Sequence, residues 1–158
     1  MSEQLLEHHK DHNEEILAII AHEIGHSKKY HLYRMTGINA FYMLVFGLIL
    51  IPFIDHDPFL AAFNIYHESY FLTLAYFAYL YQQSLGVPLN ILINQRSRRF
   101  EYEADAFSVR VGFGVPAYKA LVRNFAQNKD IVFESAFNNA LTSTHPGLLK
   151  RLEAIEKL

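Results

Sequence analysis

Met35–Ile54 reads MTGINAFYMLVFGLILIPFI, 20 positions without a charge. At about 1.5 Å per residue, a helix of that length spans roughly 30 Å, the thickness of a hydrocarbon core. A second charge-free run of 26 positions follows at Ser69–Asn94, SYFLTLAYFAYLYQQSLGVPLNILIN. Gln82, Gln83, Asn90 and Asn94 interrupt it, and Gly86 with Pro88 predicts a kink. The two runs predict a transmembrane hairpin over about 35–54 and 69–94. The competing reading is a buried helical hairpin in a soluble helical metalloprotein.

The flanks orient the hairpin. Lys28, Lys29 and Arg34 precede the first run, and Arg96, Arg98 and Arg99 follow the second. The loop 55–68 carries Asp55, Asp57 and Glu68 and neither Lys nor Arg. The positive-inside rule then puts both chain ends on the cytoplasmic side. Tyr and Phe near the ends of the runs suit the membrane interface.

The whole chain has 158 residues, enough for about one domain. Its 14 Lys+Arg nearly balance 16 Asp+Glu, so no basic field argues for nucleic acid. The absence of cysteine removes disulfides, cysteine zinc sites and cysteine nucleophiles together. Mean hydropathy of +0.05 hides a polar chain with apolar inserts. The polar N-terminus, MSEQLLEHHKDHNEE, lacks the apolar core of a signal peptide, and residues 1–12 read as a loose, solvated tail.

The remaining pattern is all-α, and residues 13–158 read as one unit. Asn13 is placed to cap a helix with Glu14 and Glu15 in its first turn, running through ILAIIAHEIGHSKKYH toward the first apolar run. The second run continues into RSRRFEYEADAFSVRV with no breaker until Gly112. Gly112, Gly114 and Pro116 predict a turn, and PAYKALVRNFAQN a short amphipathic helix. Residues 130–143 read as helical. Pro146 sits at a first-helical position, with Leu148, Leu149, Leu152 and Ile155 as one apolar stripe.

The chemical signal is His22-Glu23-Ile24-Gly25-His26. Histidines four apart share a helix face, so both imidazoles can reach one Zn²⁺, and Glu23 beside them can take a proton from bound water. Catalytic zinc usually takes three protein ligands. His31 lies about 140° around a straight helix from His26, away from the metal face, and reads as an interfacial or capping histidine. Six residues beyond His26, where another protease class keeps its third histidine, stands Leu32. Glu101 is the best remaining candidate. It shares a face with Asp105, one turn on, which can accept a ligand histidine's N–H and fix its tautomer. Glu103 points elsewhere, about 200° from Glu101. The bland alternative is that EYEAD is a solvated stretch pairing with Arg98 and Arg99. His145-Pro146 begins the last predicted helix, where His145 is either a hydrogen-bond donor to a developing oxyanion or part of a turn.

AHEIGH, SRRFEYEADAF and THPGLLKRLEAI, in this order, resemble the C-terminal part of the type I CAAX prenyl endopeptidases, which are integral-membrane zinc metalloproteases. The resemblance runs from about Asn13 to the C-terminus. It implies one Zn²⁺ held by His22, His26 and Glu101, with Glu23 as general base. It implies Asp105 behind a ligand histidine, and His145 and Arg151 near the substrate or the Asp105 network. It also implies cleavage after a prenylated cysteine, releasing a C-terminal tripeptide, and in eukaryotes an endoplasmic reticulum location with the active site on the cytoplasmic side. Two departures stand out. Only two spanning candidates are present, so the family's N-terminal membrane helices would have to be supplied by a longer chain. Ser27 stands where the family commonly has an aromatic. Two other readings remain: a heat-shock-type membrane quality-control metalloprotease, and an inactive zinc-binding membrane fragment.

Overall fold

The computed structural model describes residues 12–53, 61–62, 70–128 and 143–158. The tail 1–11, the segment 130–142 and most of the loop 55–68 lie outside the described residues. Among the described residues there is no strand. The helices are α1 (Asn13–Lys28), α2 (His31–Leu50), α3 (Tyr70–Tyr81), α4 (Val87–Ser108), α5 (Gly114–Asn128) and α6 (Leu148–Glu156).

Small residues set the closest packing. Ala18, Ala21 and Gly25 of α1 are buried and recur at helical spacing. They face Phe100, Ala104 and Ser108, the buried stripe of α4. A Cβ added to Gly25 would lie 3.1 Å from the Ala104 Cα and 3.0 Å from the Phe107 Cβ, so a larger residue here would have to push the two helices apart by a few tenths of an ångström. The Ser108 hydroxyl donates to the Ala18 carbonyl at 3.1 Å. Ala117 and Ile155 join Ala18 in a core cluster, flanked by Val109, Phe113, Tyr118 and Leu121.

The break between α1 and α2 is a correction to the sequence reading, which ran one helix through Tyr30. Tyr30 adopts φ 56°, ψ 34°, the left-handed region, and is alone in this among the described non-glycine residues. The chain therefore turns at Lys29–Tyr30 and restarts as α2 at His31. The start of α1 also differs slightly: His12, not Asn13, occupies the cap position, and no side chain bonds there.

His31–Phe53 is long and apolar enough to cross a membrane, with mean hydropathy 1.8, and only 6% of its apolar window is buried. Phe41, Met43, Leu44 and Leu48 point outward. This helix is not the chain's core, which removes the basis for the soluble-hairpin reading. The hairpin partner is irregular next to Gly86 and Pro88, where a kink is expected. It crosses from α3 to α4 through a widened, π-helical turn at Gln82–Gly86. Pro88 has no N–H for the Ser84 carbonyl and its ring crowds that oxygen, and the wide turn accommodates both. An aromatic seam joins the two limbs. Phe46 meets Tyr81 at 4.9 Å and Phe77 at 5.7 Å between ring centroids, and Tyr42 meets Tyr81 at 5.7 Å. These rings lie between the two limbs of the hairpin.

Gly112, at φ 99°, takes the turn between α4 and α5. Gly114 and Pro116 already belong to α5. The last helix starts later than expected. Gly147 is its cap, and Pro146 lies buried ahead of it. Leu148, Leu152 and Ile155 face the core, while Leu149 is exposed, as a residue 100° around from Leu148 must be.

Candidate metal centre

The close approach of α1 to α4 brings their polar positions together just beyond the small-residue contact. His22 and His26 lie one turn apart on α1, and Glu101 and Asp105 one turn apart on α4. One donor atom each from His22, His26 and Glu101 can be chosen so that all lie within 4.8 Å of one another. The two Nε2 atoms are 3.0 Å apart. Glu101 sets Oε2 3.6 Å from His22 Nε2 and Oε1 3.5 Å from His26 Nε2.

The surroundings fix protons. His22 Nδ1 lies 2.9 Å from Asp105 Oδ1. An ionised carboxylate only accepts, so Nδ1 carries the hydrogen and the Nε2 lone pair faces His26 and Glu101. Arg151 holds Asp105 as a fork, Nε to Oδ2 at 2.8 Å and Nη2 to Oδ1 at 2.7 Å, and places Nη1 3.3 Å from Glu101 Oε2. Burial works to raise the Asp105 pKa, but hydrogen bonds from His22 and Arg151 outweigh it and leave the carboxyl below its usual range. Glu101 behaves likewise: burial raises it, and His145 with Arg151 brings it down below the ordinary value. Burial, then the neighbouring His22, lowers the His26 pKa and favours the neutral imidazole that can ligate a metal. Two imidazole nitrogens and a carboxylate converging in this way make a donor set suited to zinc.

Glu23 is exposed and lines the same cavity of about 450 Å³. Ile19, Ala117, Ala120 and Leu121 give that cavity an apolar wall, and Asn124 and His145 reach into it. His145 Nδ1 sits 3.3 Å from Glu101 Oε1. Its segment is tied down by Arg98, which donates to the Ser143 carbonyl at 2.8 Å, and by the Ser143 hydroxyl, which donates to the His145 carbonyl at 2.8 Å. All seven residues singled out in the sequence for metal binding or catalysis thus line one cavity.

A family model for peptidase family M48 matches residues 1–158. The chain belongs to this family. The M48 match agrees with its curated relatives. A CAAX prenyl protease 1 homolog of Homo sapiens is 30% identical over 151 residues, covering 92% of this chain and 31% of its own length. One from Arabidopsis thaliana is 32% identical over 148 residues, covering 90% and 34%. The chain therefore spans about a third of the curated relatives it matches. In fold it is similar to the crystal structure of S. mikatae Ste24p, with a TM-score of 0.82 at 21% identity, over 89% of this chain and 36% of that one. The helical fold is thus that of the Ste24p structure, and the family is peptidase family M48.

Sequence reasoning missed three groups around this M48 site. His31 is not a helix cap: Tyr30 holds that position, and His31 opens α2. It is buried, with Nδ1 3.0 Å from His26 Nδ1. The left-handed Tyr30 swings it back, which a straight-helix projection cannot show. Glu103 stays off the face of Glu101, but there it accepts from His31 at 3.3 Å besides pairing with Arg99. Glu15, read as a helix-dipole acid, is buried and held by a two-point bond from Arg123 of α5, at 2.8 and 3.2 Å.

Proposed function

We propose that this chain carries the metal centre of a zinc-dependent membrane endopeptidase that cuts after a prenylated cysteine near a protein's C-terminus. The observation that carries the reading is the convergence of His22, His26 and Glu101 beside Glu23 in one cavity, at the end of a helix apolar enough to cross a bilayer. The CAAX prenyl protease names of the relatives support the substrate class. They favour it over loose quality-control proteolysis. The matching third of those relatives leaves room for further membrane helices as partners of this segment. The basic flanks of the hairpin support a cytoplasmic active-site side and, in a eukaryote, an endoplasmic reticulum location.

One Zn²⁺ held by His22, His26 and Glu101 would supply Lewis-acid polarisation of the scissile carbonyl and acidify a water. Glu23 accepts the proton of the attacking water and delivers it to the leaving amine. Asp105, clamped by Arg151, keeps the His22 proton on Nδ1 and the ring aimed at the site. His145, at the open side of Glu101, donates toward the charge that develops on the carbonyl oxygen. The apolar wall of Ile19 and Leu121 lies against the substrate chain and limits water.

The test is cleavage of a farnesylated peptide by the chain in lipid vesicles, with the Glu23→Gln variant alongside. Chelator-sensitive release of a tripeptide, lost in Glu23→Gln with zinc content retained, supports the reading. Cleavage insensitive to both the chelator and the substitution contradicts it.

A further inference from the structure

His22 and His26 are backed by different partners. Behind His22 stands a carboxylate, Asp105, gripped by a buried arginine. Behind His26 stands another imidazole. His31 is 3% exposed and lies parallel to the Phe100 ring, with centroids 4.3 Å apart and planes 6° apart. Its Nδ1 is 3.0 Å from His26 Nδ1, and its Nε2 is 3.3 Å from Glu103 Oε2. Glu103 is held in turn by Arg34 at 3.6 Å and by Arg99 at 3.5 Å, and Arg34 also rides over Phe100 at 4.5 Å.

The directions of these bonds follow from chemistry. Glu103 accepts, so His31 carries its hydrogen on Nε2 and presents the Nδ1 lone pair to His26. His26 must then donate from Nδ1, which leaves its own Nε2 lone pair facing His22 Nε2 and Glu101.

We infer that His31, fixed by Glu103 and by its stack on Phe100, is a positioning residue that sets the His26 tautomer and orientation for metal binding, and so ties the first residue of the spanning helix to the metal centre. This rests on the zinc reading above. The left-handed joint at Tyr30 makes it possible. On a continuous helix His31 would point about 140° away from His26. A shift of α2 relative to α1 would move His31 directly, so the centre is coupled to the membrane helix through one hydrogen bond.

The experiment compares the chain in detergent with His31→Phe, which keeps a ring on Phe100 but has no acceptor, and with His31→Gln, which restores an acceptor oxygen. Two quantities are read: the zinc dissociation constant from chelator competition, and the His26 imidazole tautomer from nitrogen NMR of the metal-free protein. The inference expects His31→Phe to weaken zinc by about 10- to 100-fold, the range for lost supporting partners. It expects the same variant to release the His26 Nδ1–H preference, and His31→Gln to recover both. Unchanged tautomer and affinity in a folded His31→Phe overturn it. Should that variant not fold, Glu103→Leu, at a part-exposed position, removes the acceptor instead: a weakened Nδ1–H preference supports the relay and an unaltered one overturns it. The tautomer is read without metal, so a wild type that binds no zinc defeats the zinc reading while this inference is still decided.

Discussion

A Cβ on Gly25 would sit 3.2 Å from the carbonyl oxygen of Ala104, tighter than an ordinary van der Waals contact. The metal centre depends on that contact, because the next polar positions on the two helices are its ligands. Gly25→Ala gains about 1 kcal/mol of helix propensity. It loses about 1–3 kcal/mol to overpacking, and the second effect wins because the opposing atoms are backbone. The expected outcome is a lower Tm and weaker zinc binding, since His22 and His26 move away from Glu101. Thermal melts with and without zinc check both.

Arg151 and Asp105 form a buried two-point pair. Asp105→Ala takes away the two-point partner of the guanidinium and leaves it only Glu101 at 3.3 Å, at a cost of up to about 3 kcal/mol. Asp105→Leu combined with Arg151→Met is expected to recover most of the stability, because an apolar pair of similar volume avoids the desolvation of both charges. It does not recover zinc affinity, since His22 Nδ1 still lacks its acceptor. Denaturant unfolding beside a zinc titration separates the two effects.

Asp105 has a lowered pKa in the folded, metal-free chain. Its contribution to stability is therefore full well above the unfolded value of about 3.9 and is lost as pH falls through the lower folded value. The Asp105→Leu, Arg151→Met double variant is expected to show a shallower decline on acidification below about pH 5. Unfolding free energies measured from pH 6 down to pH 3 give the slopes, and equal slopes contradict the assignment.

The parts legible in the sequence were those governed by local periodicity. His22 and His26 follow from helix spacing alone, and so does the shared face of Glu101 and Asp105. The charge-free run from Met35 names the spanning helix. What escaped was set by one backbone dihedral and by long-range packing. Tyr30 carries a β-branch-free aromatic side chain and nothing in KKYH announces a left-handed residue, so His31 was projected to the wrong side. The Glu15–Arg123 bond joins residues 108 apart, and no spacing rule reaches that far. The second apolar run was readable as apolar, but its wide turn depends on how Pro88 is accommodated, not on whether it is present.

The central claim is a metal held by His22, His26 and Glu101. Its most direct test is zinc content by mass spectrometry on the detergent-purified chain, wild type beside Glu101→Ala. About one zinc per chain is expected in the wild type and a large loss in the variant, with helical circular dichroism unchanged, as for a site with three protein ligands. A wild type without zinc, or a Glu101→Ala variant that holds as much zinc as the wild type, would contradict it.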